Sequence, residues 1–175
     1  RVVEVWRWLW FLILNGIILP LRSPRSARAY QRVWTKHGSP LMTNSQAISD
    51  ALAERLGDDF EVCLAMRYGN PSLASGIDQL RASGCENVIV ASLFPQASNT
   101  TTGTLQAEVA RVSGLRRDAP ALQFVGAMYE DRDYIRALAD RVRTSTEGKD
   151  VQFHVFSFHG LPEDYVAKGD LYLDH

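Results

Sequence analysis

Cysteine is scarce: the 175 residues hold two, Cys63 and Cys85. They form no C-x-x-C pair and neither has a histidine at metal-ligand spacing. That argues against a disulfide scaffold and a thiolate metal site, and leaves two reduced thiols acting as small core hydrophobes. Positive charge is not in excess either. Lysine and arginine total 19 against 20 acidic residues, a formal net charge of −1. With no basic stripe interleaved with aromatics, nucleic acid is not an expected partner. The sequence has no G-x-G-x-x-G, no Walker A, no G-x-S-x-G and no carboxylate pair at catalytic spacing. A long apolar run is lacking too. Trp8 to Leu14 is apolar, but Asn15-Gly16 interrupts it and Pro20 and Arg22 end it, well short of the about 20 residues a spanning helix needs. Glu4 and Arg7 in front, and no small-residue cleavage site, argue against a signal peptide. Residues 6–19 therefore read either as a core or cleft-lining helix, or as a Trp-rich face making peripheral contact with a membrane interface.

What is present is the composition of a globular domain, 46% hydrophobic and 22% charged, long enough for one core. The pattern predicts short helices over 6–15 and from Ser23 to about His37, broken by Gly38-Ser39-Pro40. Thr43 or Asn44 caps a helix to Leu56, closed by Gly57. Phe60 to Met66 reads as a strand, and Ser72 opens a helix ending near Gly84. Asn87 to Phe94 is the strongest strand, nearly all apolar, of the kind buried on both faces of a parallel sheet. A helix to about Arg116, a strand over 122–126, a helix over 131–143 and a last strand over 151–157 follow. This alternation predicts an α/β fold: a doubly wound, mostly parallel sheet with helices on both faces.

In such sheets the ligand cleft lies outside the carboxyl ends of the strands, and three predicted ends carry distinctive residues. His159 directly follows the last strand and precedes Gly160, which leaves room beside the ring. Imidazole accepts a proton or binds a metal near neutral pH. His154, inside the same strand, reads as a core residue. Arg67-Tyr68 offers a bidentate fork, an aromatic face and a hydroxyl; a plain ion pair with a nearby carboxylate is the competing reading. The Ser98 to Thr102 stretch can hold an anion on its amides or simply cap the next helix.

Four stretches, in order and together, resemble the ferrochelatases. They are Gly38-Ser39-Pro40-Leu41; Met66-Arg67-Tyr68-Gly69-Asn70-Pro71; Phe94-Pro95-Gln96 with Ser98 and Thr101-Thr102-Gly103; and Phe156-Ser157-Phe158-His159-Gly160-Leu161-Pro162, followed by Tyr165, Lys168-Gly169-Asp170 and Tyr172. The resemblance covers essentially the whole chain. It implies a chelatase-like α/β domain over 1–175 and insertion of ferrous iron, as substrate, into protoporphyrin IX to give protoheme. It places the family's active-site histidine, as catalyst and metal ligand, on His159, with Arg67, Tyr68, Ser39, Ser98 and Thr101 as substrate contacts. No organic cofactor is implied. Ala97 stands where the family commonly has an aromatic residue, and Asn99 where some members carry an iron–sulfur ligand, so no cluster is expected.

The resemblance also implies a larger parent protein, with the acidic partner of His159 in a carboxyl-terminal half that this chain lacks. The domain is then incomplete at both ends, a second domain is absent, and the fragment alone is expected to be inactive. A cytoplasmic location, with or without peripheral membrane association, goes with this reading. Coproporphyrin III is the alternative substrate; a tetrapyrrole- or metal-binding module without chemistry, and a purely structural domain, are the alternatives of other classes.

Overall fold

The computed structural model describes residues 7–114 and 118–175. The chain divides into two compact units, Arg1–Cys85 and Glu86–His175.

In the first unit, α1 (Arg7–Ile13) passes through a wider π turn (Leu14–Ile18) into α2 (Leu19–Gln31). The Asn15-Gly16 interruption and Pro20 thus do not end the helix, as the sequence suggested. The π turn absorbs the first. Asn15 stays in register by donating its side-chain amide to the Phe11 carbonyl (2.8 Å). Pro20 directly follows the π turn, inside a helix that continues past it to Gln31. The helix stops at Gln31 rather than near His37, and Thr35 and Gly38 exchange backbone hydrogen bonds of 3.0 Å each. α3 (Pro40–Leu56) begins earlier than its polar residues indicated: Ser39 is the cap residue, in extended backbone, and Pro40 takes the first helical position. Gly57 closes it at φ 71°.

α4 (Leu73–Ala82) is capped by the Ser72 hydroxyl, which accepts the Ser75 N–H (3.1 Å). Leu73, Gly76, Ile77 and Leu80 share its buried face, the spacing of one helical stripe. Against that face lies the segment 62–66. A methyl built on Gly76 would stand 3.1 Å from the Ala65 Cβ and 3.3 Å from the Cys63 Sγ. The predicted strand Phe60–Met66 makes no ladder; its one bridge is Met66 with Ser72.

In the second unit, β1 (Asn87–Val90) pairs in parallel with β2 (Ala121–Phe124), Asn87 opposite Ala121 and Val90 opposite Phe124. α5 (Thr104–Gly114) lies in the crossover between them, as parallel pairing requires. Val88 on β1 and Val109 and Val112 on α5 are buried. The neighbouring Ile89 is 58% exposed, so β1 is covered on one face, not on both as its apolar run suggested. α6 (Arg132–Thr146) is capped by the Asp131 carboxylate, which accepts the Asp133 and Tyr134 amides. α7 (Glu163–Ala167) and a single 3-10 turn (Leu171–Leu173) complete the unit.

Residues 151–157 form no strand, and every residue from 151 to 160 is exposed, His154 among them. Apolar β-branched composition favours a strand, but a ladder also needs a neighbour with free backbone groups. No neighbouring strand pairs with 151–157 or 60–65 among the described residues. The architecture is therefore α/β with helices and a small parallel sheet.

Candidate functional site

Each predicted residue has a definite setting, in one unit or the other. In the first unit, Met66 donates its N–H to the Pro71 carbonyl (2.7 Å), closing a tight turn that carries Arg67 and Tyr68 at its tip. The Arg67 guanidinium carbon stands 4.5 Å from the centre of the Tyr68 ring, a cation–π contact. Tyr68 is 67% exposed and Arg67 half-buried. The pair therefore presents an exposed aromatic ring against a guanidinium. Ser39 caps α3 through its backbone: its carbonyl accepts the Thr43 N–H (3.0 Å) and hydroxyl (3.2 Å), while its own hydroxyl makes no capping bond. Cys63, two residues before Ala65, donates to the Gly76 carbonyl (3.7 Å). Burial, with the nearby Glu61 charge and Cys85, pushes its thiol up from its ordinary value, so the site gains no reactive thiolate there.

In the second unit, Ser98 is buried. Its hydroxyl caps the π turn Asn99–Gly103 by accepting the Thr100 N–H (3.1 Å), and it donates to Oδ2 of Asp170 (3.0 Å). Thr101 is half-buried and returns its N–H (3.2 Å) and hydroxyl (3.5 Å) to the Ser98 carbonyl. The capping reading of this loop thus holds for Ser98. Asp170, 3% exposed, is the one buried acidic or basic residue among the described residues of the unit. A buried carboxylate is costly unless donors surround it. Three do: Ser98 Oγ and the Asn99 N–H (2.8 Å) on Oδ2, and the Tyr172 N–H (3.1 Å) on Oδ1.

His159 is exposed, and its backbone N–H donates to the Tyr172 hydroxyl (3.2 Å). Its imidazole is therefore open to a ligand while its backbone is tethered. His175 accepts the Ala97 N–H at Nδ1 (3.1 Å) and stacks on Tyr129 at 3.8 Å between ring centres. Beside the loop lies a cavity of about 220 Å³ lined by residues that include Ala97, Asn99, Thr102, Gln106 and Leu171. That volume is below the about 300–1,000 Å³ of small-molecule pockets, so it does not enclose a tetrapyrrole. Among the described residues no group of three or more His, Cys, Asp or Glu side chains is placed to hold a metal ion, and no helix is long and apolar enough to cross a membrane.

Sequence reasoning missed the parts played by Asp170, Tyr172 and His175. Asp170 and His175 act on residues 72 and 78 positions away, and Tyr172 on one 13 positions away. Only the Gly169-Asp170 pair, a turn glycine followed by a capping aspartate, carried a local signal.

In the second unit the exposed His159 is thus linked through Tyr172 and Asp170 to the Ser98–Asn99 loop. The ferrochelatase family model matches residues 1–175, and the chain belongs to that family. It is 43% identical over 173 residues to a ferrochelatase of Escherichia coli O139:H28 (strain E24377A / ETEC), covering 98% of this chain and 54% of that protein. To the ferrochelatase of Escherichia coli (strain SMS-3-5) it is 42% identical over 176 residues, covering 100% and 55%. A ferrochelatase of Shigella flexneri is 43% identical over 173 residues, with 98% and 54% covered. The chain spans about half the length of these curated relatives.

Proposed function

We propose that the whole protein carrying this chain inserts ferrous iron into protoporphyrin IX, with His159 at the reacting centre. Membership of the ferrochelatase family over residues 1–175 carries the reading. The exposed imidazole of His159 supports its role. The free-base porphyrin holds two N–H protons, and the incoming Fe²⁺ displaces both as it sheds water and binds four ring nitrogens. A neutral imidazole facing the ring takes a proton or ligates the metal on entry. Arg67 is suited to a porphyrin carboxylate and Tyr68 to the macrocycle's edge, while Ser39 and Thr101 are candidate contacts. Ser98, whose hydroxyl is engaged internally, acts by shaping the loop.

The acidic partner of His159 belongs, in this reading, to the remaining length of the protein. The reading includes a chelatase-like domain over residues 1–175 with a doubly wound sheet. Fe²⁺ is substrate; Asn99 offers an amide and no thiolate, so the reading includes no cluster. Trp8, Phe11 and Leu12 are exposed on α1, which favours the more apolar protoporphyrin over coproporphyrin III and supports peripheral contact with a membrane surface.

The test is Zn²⁺ or Fe²⁺ insertion by the full-length protein, followed by porphyrin absorbance. His159→Ala is expected to lower the rate by about 10²–10⁴-fold, the range for loss of a proton-transfer group. Insertion that survives the substitution removes His159 from the mechanism. Tight porphyrin binding without insertion in the wild type points to a binding module.

A further inference from the structure

We propose that Asp170 is a positioning residue for the reaction: its buried carboxylate locks the Ser98–Asn99 loop to the turn whose Tyr172 holds the backbone of His159. The inference rests on the reading that His159 is at the reacting centre.

The connection is continuous. On one side, Oδ2 of Asp170 takes the Ser98 hydroxyl (3.0 Å) and the Asn99 N–H (2.8 Å), fixing the start of the π turn that leads into α5. On the other, Oδ1 takes the Tyr172 N–H (3.1 Å) and so caps the turn Leu171–Leu173. The Asp170 N–H donates to the Tyr165 carbonyl (3.0 Å), which ties the same residue to α7. From that turn the Tyr172 hydroxyl accepts the His159 N–H (3.2 Å). It tethers the end of a segment whose residues are all exposed from 151 to 160.

An exposed backbone without such a tether samples many conformers. A proton acceptor misplaced by an ångström loses much of its effect. Aspartate suits the junction because an ionised carboxylate only accepts, and every neighbour named here donates. Asparagine has the same shape but turns an NH₂ group against one of those donors. Tyr172→Phe removes a single oxygen from a half-buried ring, and leaves the carboxylate junction intact.

The experiment measures kcat and porphyrin KM for Zn²⁺ insertion by the full-length protein in four forms: wild type, Asp170→Asn, Tyr172→Phe and the double variant, with His159→Ala in parallel. Each single substitution is expected to lower kcat by about tenfold while porphyrin KM stays within about twofold, and the double is expected to match the worse single, because both act along one connection. Factors that multiply in the double, a change confined to KM, or an unchanged kcat in Tyr172→Phe overturn the proposal. Should Asp170→Asn fail to fold, Tyr172→Phe alone decides by its split between kcat and KM. If His159→Ala retains full insertion, the underlying reading fails. If His159→Ala is inactive and Tyr172→Phe is normal, that reading stands and the positioning role falls.

Discussion

Replacing Gly76 by alanine places a methyl group 3.1 Å from the Ala65 Cβ and 3.3 Å from the Cys63 Sγ. Apolar atoms prefer about 3.5–4.0 Å, so α4 and the 62–66 segment must part by a few tenths of an ångström. Two effects compete. Alanine gains about 1 kcal/mol over glycine inside a helix, and an added methyl in a packed interface costs about 1–3 kcal/mol. The closer contact is to the Ala65 Cβ, which can give only by moving backbone, so the cost wins. The expected net loss is about 1 kcal/mol for Gly76→Ala and about 3 kcal/mol for Gly76→Val, which adds a branched side chain to the same gap. Ala65→Gly removes the closer of the two contacts and is expected to recover most of the loss in the Gly76→Ala background. Urea denaturation gives these differences, and the alanine variant should melt about 2–8 °C lower. A consequence for function follows from position: Arg67 is two residues beyond Ala65, so the displaced segment also shifts the Arg67–Tyr68 tip. Gly76→Ala that stabilises by the full helix-propensity gain refutes the close packing of α4 on this segment.

Two other outcomes are expected. Because burial raises the Cys63 thiol, with Glu61 and Cys85 adding to it, the folded chain keeps that proton to higher pH than the unfolded chain does. The stability it supplies is complete below the pH at which an unfolded cysteine ionises and is lost as pH rises through the folded value. Wild type should therefore lose melting temperature faster than Cys63→Ala on the alkaline side, and parallel curves count against the buried thiol. Amide hydrogen exchange should find residues 151–158 close to unprotected, since no strand pairs with them and Phe153 and Val155 are 83% and 91% exposed. The β1–β2 ladder should be protected; comparable protection in both segments contradicts the unpaired segment.

The elements that could be read in advance are those whose signals are local. Ser72 caps α4 and Asp131 caps α6 through side-chain oxygens reaching amides two or three residues away, and such bonds depend on little beyond the local sequence. β1 and β2 were found as apolar runs, though each is shorter than its run. The failures have a common cause. Pro20 looked like a stop because a proline usually ends or kinks a helix, and here the helix runs on past it through the π turn at 14–18. The 60–66 and 151–157 segments looked like strands because composition can promise an apolar backbone but cannot supply its partner.

The same division runs through the candidate site. Arg67, Tyr68 and His159 were visible because each closes an apolar run. The bonds of Asp170 and His175 were not, because their partners are Ser98, Asn99 and Ala97, more than seventy residues earlier in the chain. Ala97 makes the point sharpest. Its side chain departs from the aromatic residue that the resemblance implies at this position. Yet its backbone N–H is held at 3.1 Å by Nδ1 of His175, whose ring stacks on Tyr129. The path of the loop is thus set by bonds to main-chain atoms, which a change of side chain at 97 leaves in place. A missing aromatic ring removes surface from the loop without removing the loop, and the geometry presented by residues 95–103 depends on Asp170 and His175 more than on the residue that departs from the family.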